Sequence, residues 1–186
     1  TRRIAAGDYA APPGPQRHDE IGELGTALAG MTAAIAEREA HIRHQATHEP
    51  VTALPNRGSL SDAIDAALPA AAAVIVVALV RLQEVANTVG RDLAEQIMRD
   101  AAQRLAALCN GAPLGCVGEQ SFAFLAPADD VAGAMAVAAR VSDAFDQPYR
   151  EGDLAIDTTA VVGIALAPEH GTSAALLLRR AEVALQ

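Results

Sequence analysis

The sequence predicts a mixed α/β domain of the α+β kind preceded by a coiled-coil helix, and three features predict it. Between Asp19 and Gln45 apolar residues recur at alternating three- and four-residue steps. A β-branched run spans Ala73 to Val80, and two short apolar runs flank Gly118-Glu119-Gln120-Ser121. The first pattern is a heptad seam, the second a strand buried on both faces, and the third a β-hairpin.

The first element is the seam helix. Gly7, Pro12, Pro13, Gly14 and Pro15 form a connector in which regular structure cannot persist, and Asp19 can cap the helix after it. The seam consists of Ile21, Leu24, Leu28, Met31, Ile35 and Ile42, with Arg38 at its one polar position. Such a stripe needs a partner. Packing on the chain's own domain is one solution, and self-association is the one we prefer because the seam is narrow. His41, His44 and His48 follow on roughly one face, and we read them as exposed polar residues rather than metal ligands or a pH-sensitive linker.

A second unit starts near Ala46, so the expected division is 1–45 and 46–186. Pro50, Pro55, Asn56 and Gly58 punctuate its opening turn, and a helix from about Leu60 to Leu68 ends at Pro69. After the buried strand, a long helix from about Val85 to Cys109 carries Ile97, Leu105 and Leu108. Leu114 to Val117 and Phe122 to Leu125 are the strands of the hairpin. A helix over about Asp129 to Asp146 is capped by Asp129 or Asp130. Glu151-Gly152-Asp153 reads as a hairpin tip, Thr158 to Leu166 as a strand, and Ala174 to Leu185 as a terminal helix.

Composition narrows the functions. The 186 residues suit one ordinary domain plus a shorter appendage. With 51% hydrophobic and only 3% aromatic residues, the core must be built from Ala, Val, Leu and Ile. A formal net charge of -9 without a basic stripe argues against a nucleic-acid partner. Cys109 and Cys116 lack a second pair at metal-ligand spacing, which favours a reducing cytoplasm over a disulfide scaffold. The apolar stretch from Ala66 to Val80 is broken by Pro69 and falls short of the roughly 20 residues a membrane span needs. The chain opens at Thr1 without a Met or a signal peptide, and we expect it to be cut from a longer protein.

Several strings resemble known families. Gly7-Asp8-Tyr9, the Pro/Gly connector, Asp19-Glu20-Ile21-Gly22-Glu23-Leu24 and Met31 look like the second half of a HAMP domain. That resemblance implies a parallel dimeric coiled coil just inside a membrane, here the cytoplasmic portion of an inner-membrane protein. Val51-Thr52-Ala53-Leu54-Pro55-Asn56-Arg57 is similar to the Leu-Thr-Gly-Leu-Pro-Asn-Arg opening of GGDEF diguanylate cyclases. Val162-Gly163-Ile164-Ala165, His170-Gly171 and Leu178-Arg179-Arg180-Ala181-Glu182 match that family's final strand and helix. The resemblance implies a palm related to adenylyl cyclases, with a five-stranded, mostly antiparallel sheet wrapped by helices. Family members join two GTP molecules into cyclic di-GMP across a dimer.

Phosphoryl transfer of this kind needs carboxylate-held Mg²⁺. The family's Asp-x-Asp-x-Phe-Lys string corresponds to Ala78-Leu79-Val80-Arg81-Leu82-Gln83, without either acid or the Lys. Its Gly-Gly-(Asp/Glu)-Glu-Phe hairpin reads Gly118-Glu119-Gln120-Ser121-Phe122, with only the first Gly and the Phe retained. Gln120 supplies an amide in place of a metal-binding carboxylate, Ser121 replaces the acid suited to activating the attacking hydroxyl, and Glu119 adds charge where phosphates would lie. The expectation is therefore no catalytic residue, no metal site and no cofactor. Register is pinned by Phe122 and by Gly90 in Val89-Gly90-Arg91, the family's Tyr-Gly-His turn.

The guanine-contacting Asn aligns with Ala86. Glu95 stands at a base-contacting Asp position, so Glu95 and Gly118 are the residual nucleotide-binding candidates, with a solvated helix acid the plainer reading of Glu95. The Arg-x-x-Asp product-inhibition motif would fall at Cys109 and Ala112 and is absent. The preferred function is a catalytically silent module that relays HAMP dimer geometry to a downstream output domain, EAL-type in related proteins. A GTP-binding allosteric domain is the alternative, and an active cyclase the less favoured one.

Overall fold

The computed structural model describes residues 20–68, 71–151 and 154–185. The connector with Gly7-Asp8-Tyr9, the cap Asp19, the stop Pro69 and the tip Gly152-Asp153 lie outside the described residues. The chain divides into two compact units, Thr1–Ala46 and Thr47–Gln186.

In the first unit, helix α1 runs Glu20–Thr47. The side chains of Ile21, Leu24 and His41 lie outside the described residues. Leu28, Met31, Ile35 and Ile42 are all exposed, Met31 at 65%. His48 falls just past the helix rather than on it, its Nδ1 sharing a 2.8 Å hydrogen bond with the Thr47 hydroxyl.

The second unit is built on strand β1, Ala72–Val80. Successive side chains of a strand point to opposite faces. Accordingly Ala73, Ile75, Val77 and Leu79 enter one cluster and Ala72, Val74 and Val76 another. Burial on both faces is why the run is continuously apolar instead of alternating. β1 pairs antiparallel with β3, Ser121–Ala126, and with β6, Thr159–Ala167. β2, Leu114–Gly118, completes an antiparallel sheet in the order β2-β3-β1-β6.

Helices cover both faces. The larger cluster brings in Leu82 of α3 (Leu82–Thr88), Ile97 and Leu105 of α4 (Arg91–Cys109), and Val141 and Phe145 of α5 (Val131–Phe145). The smaller one holds Leu60 and Ile64 of α2 (Arg57–Ala67) with Leu177, Leu178 and Ala181 of α6 (Ala174–Val183). α6 presses so closely on β6 that a Cβ on Gly163 would lie 2.0 Å from the Ala181 carbonyl oxygen. Arg104 ties α4 to the end of α5, donating to the Ala144 and Gln147 carbonyls at 3.0 and 2.9 Å with its guanidinium over the Phe145 ring.

Two expectations are corrected. The long helix from Val85 to Cys109 is two helices, because Gly90 sits at φ 131°, a backbone conformation that a side chain disfavours. The main sheet has four strands among the described residues rather than five. The remaining strands, β4 (Tyr149–Glu151) and β5 (Leu154–Ile156), pair only with each other. They are three residues each and mostly exposed, with Tyr149 and Ile156 partly buried against the larger cluster.

Candidate functional site

The residues singled out around the hairpin converge at one end of the sheet. The register places Ala78 of β1 opposite Ser121 of β3, and Val77 opposite Phe122, which is fully buried. The β2–β3 turn is fastened to β1 by the Leu79 N–H, which donates to the Gln120 carbonyl at 2.9 Å. β1 ends at exposed Val80, and Arg81 turns the chain into α3 at φ 71°. That turn carries Gln83 toward the hairpin, where its side-chain oxygen meets the Gln120 amide at 3.2 Å. With the Gln120 amide turned over, its oxygen accepts from the Gln83 N–H at 3.3 Å and its NH₂ donates to the Leu79 carbonyl at 3.2 Å. Either orientation bridges the tip to the β1–α3 junction.

The side chains at the expected metal and catalytic positions are thus a methyl at Ala78, an isopropyl at Val80, an amide at Gln120 and a hydroxyl at Ser121. Gly118 and Glu119 are exposed at the turn. Among the described residues no group of three or more His, Cys, Asp or Glu gathers as a metal site would require. Asp130 caps α5, its carboxylate accepting from the Gly133 N–H at 2.7 Å.

Glu95 lies on α4 with both carboxylate oxygens engaged, one by Arg91 Nε at 3.0 Å and the other by Arg99 Nη2 at 3.2 Å. Ala86 is partly buried on α3, against the larger cluster. Cys109 closes α4, and the Ala112 N–H donates to its carbonyl at 3.0 Å in the turn that follows. Burial pushes the Cys109 thiol up to about 11.

Sequence reasoning missed three features of the surroundings, although each residue stands in or beside a recognised string. The Gln83–Gln120 contact is one. Another is Glu49, whose carboxylate accepts from the Val51 and Thr52 N–H groups and the Thr52 hydroxyl at 3.0, 2.7 and 2.7 Å. Partial burial alone would raise its pKa, but these bonds and the nearby Arg99 charge hold it below the ordinary 4.5. The third is a two-pronged ion pair between Arg57 in the opening turn and Glu182 in α6, with Nη2 to Oε2 at 3.0 Å. Glu182 holds the guanidinium above its ordinary pKa in spite of partial burial. The opening turn also meets β2 directly, since the Cys116 N–H donates to the Pro55 carbonyl at 2.8 Å and a Cβ on Gly115 would lie 2.6 Å from that oxygen.

Known proteins share this fold. A diguanylate cyclase GGDEF domain model matches residues 46–186, and a HAMP domain model matches residues 1–37. The cyclic di-GMP phosphodiesterase PdeR of Escherichia coli is 31% identical over 149 residues, 77% of this chain and 22% of that protein. The diguanylate cyclase TpbB of Pseudomonas aeruginosa is 28% identical over 179 residues, 91% of this chain and 41% of that protein. The chain therefore spans well under half the length of these relatives. Among solved structures, the isolated GGDEF domain of TpbB superposes with a TM-score of 0.66 at 28% identity, covering 74% of this chain and 86% of that one. A sensory box/GGDEF family protein from Caulobacter crescentus shares the fold with a TM-score of 0.69 at 24% identity, covering 75% and 95%. With the family model spanning the whole of the second unit's sheet and helices, this chain belongs to the GGDEF, diguanylate cyclase-type family.

Proposed function

We propose that this GGDEF domain is catalytically silent and serves cyclic di-GMP signalling as a relay, passing the dimer geometry of its HAMP-bearing segment to a neighbouring output domain of the EAL type. The observation that carries the reading is the donor set at the sheet end. Mg²⁺ takes hard oxygen ligands and is usually held by carboxylates, whereas Ala78, Val80, Gln120 and Ser121 offer no carboxylate. This set does not fit the metals that GTP condensation requires. The Gln120 side chain instead bridges the tip to the β1–α3 junction, meeting Gln83 in either amide orientation. The Ala86 methyl supplies no polar group to read a base, and Glu95 is committed to Arg91 and Arg99.

The relatives' names support a place beside a phosphodiesterase, since PdeR is a phosphodiesterase and MucR of Pseudomonas aeruginosa is bifunctional. The HAMP match supports a membrane-anchored parent, although no helix among the described residues is long and apolar enough to cross a membrane. Incubation of the purified protein with GTP and Mg²⁺ is expected to yield no cyclic di-GMP, and calorimetry no saturable micromolar GTP binding with or without the metal. Product formation would overturn the silent reading. Metal-independent saturable binding without product would favour the GTP-regulated alternative.

A further inference from the structure

Arg57 and Glu182 each stand at the end of a helix where the helix's own field disfavours them. Arg57 is the first residue of α2, where the backbone N–H groups already present positive partial charge. Glu182 lies in the last turn of α6, where the carbonyls present negative charge. Local helix stability therefore does not explain either residue. What both positions do permit is the fork contact, in which Nη1 meets Oε1 and Nη2 meets Oε2 across 125 residues of sequence.

The same guanidinium reaches a third element. Nη1 approaches the Val117 carbonyl at 3.5 Å, at the register shift between Cys116 and Gly118 where β2 enters the hairpin turn. On its other side Arg57 continues from Asn56. The Asn56 N–H donates to the Thr47 carbonyl at 2.8 Å, and its side chain caps α2 by accepting from the Ser59 N–H at 3.1 Å. Thr47 is the last residue of α1. One short path of polar contacts thus joins the point where the chain enters the second unit to the last turn of its final helix.

We infer that Arg57 is a positioning residue that couples the opening turn to the C-terminal turn of α6, so that a displacement at Thr47 and Asn56 alters the last turn of α6 without passing through the sheet. The inference rests on the relay reading for its purpose, while the coupling itself belongs to residues 47–185. The paired side chains are 46% and 33% exposed, so the contact contributes little to overall stability, and its effect lies in linking two elements.

Hydrogen exchange on the full chain tests it. The Ala184 and Leu185 amides, which donate to the Arg180 and Glu182 carbonyls, report the last turn of α6. The Ala134 amide, which donates to the Asp130 carbonyl at the start of α5, serves as a remote control. Asn56→Ala loosens the opening turn while leaving Arg57 in place. In the native background it is expected to speed exchange at Ala184 and Leu185 at least about threefold more than in the Glu182→Gln background, with Ala134 unchanged in both. Arg57→Lys keeps the charge but loses the fork, and is expected to behave as Glu182→Gln does. A difference between backgrounds below about threefold, or an equal rise at Ala134, overturns the coupling. The relay reading fails separately, by the appearance of cyclic di-GMP in the assay above, whatever the exchange shows.

Discussion

At the scale of single residues, the opening turn holds a conflict between backbone and side chain. Ala53 adopts φ 55°, and it occupies the position where the family's opening string carries Gly. A left-handed L-residue is disfavoured by about 1–2 kcal/mol, while Gly adds about 0.4–1 kcal/mol of unfolded-chain entropy. The first effect is the larger, so Ala53→Gly is expected to stabilise the domain by about 0.5–1 kcal/mol in urea denaturation. Glu49, beside it, gives a pH dependence whose sign follows from its lowered pKa. A carboxyl depressed by folding contributes stability that is fully present above the unfolded value near 4.5 and is lost as pH falls through the folded one. The melting-temperature difference between native protein and Glu49→Gln should be widest above pH 5 and shrink toward pH 3. Which residues stand at the motif positions is read from the sequence, since they lie in strings whose register Gly90 and Phe122 set. The contacts those residues make are not, since the approach of Gln83 to Gln120 depends on Arg81 turning the chain at positive φ, which no local string announces.

At the scale of elements, the tightest constraint is the contact of α6 with β6. A methyl on Gly163 would fall 2.0 Å from the Ala181 carbonyl oxygen, and that atom belongs to helix backbone that cannot rotate away. Gly163→Ala must therefore lift α6 off the sheet and open the cluster containing Leu177, Leu178 and Ala181. A loss of about 3 kcal/mol or more in denaturant unfolding is expected, and a change below about 1 kcal/mol would mean that α6 is free to shift. The helix is further fixed by α2, whose Asp65 carboxylate accepts from the Ala174 N–H at 2.7 Å, a cap supplied from another helix since Ser173 supplies none. Most elements could be read in advance because their patterns are local. β1 announced itself through its continuous apolar run, the hairpin through its turn, and α5 through the Asp129-Asp130 pair, of which Asp130 is the cap. Two outcomes needed more than pattern. The resemblance marks Gly90 as a turn while the expected helix runs on through it, and its φ of 131° is what separates α3 from α4; β4 and β5 flank the expected hairpin tip but pair only with each other.

At the scale of the whole molecule, the two units pose opposite problems. The second buries apolar residues on both faces of one sheet, whereas the seam residues of the first whose side chains are described are exposed. On α1, Leu28, Met31, Ile35 and Ile42 are exposed at 55, 65, 40 and 56%. They fall at seam spacing, and a stripe this regular loses little by being solvated once but much when it repeats over several turns. The HAMP match over residues 1–37 covers most of the seam. Parallel pairing of two copies would give each knob a complementary hole, which a flat surface cannot do. Sedimentation equilibrium is accordingly expected to show reversible dimers. Ile35→Glu places two like charges opposite each other in a closed seam while leaving the second unit untouched, and should weaken association at least tenfold, a change of about 1.4 kcal/mol. Its melting transition for the second unit should stay where it was, because Ile35 belongs to neither of that unit's core clusters. An unaltered dimer constant in Ile35→Glu would place the interface elsewhere on the chain and remove α1 as the element through which dimer geometry is read.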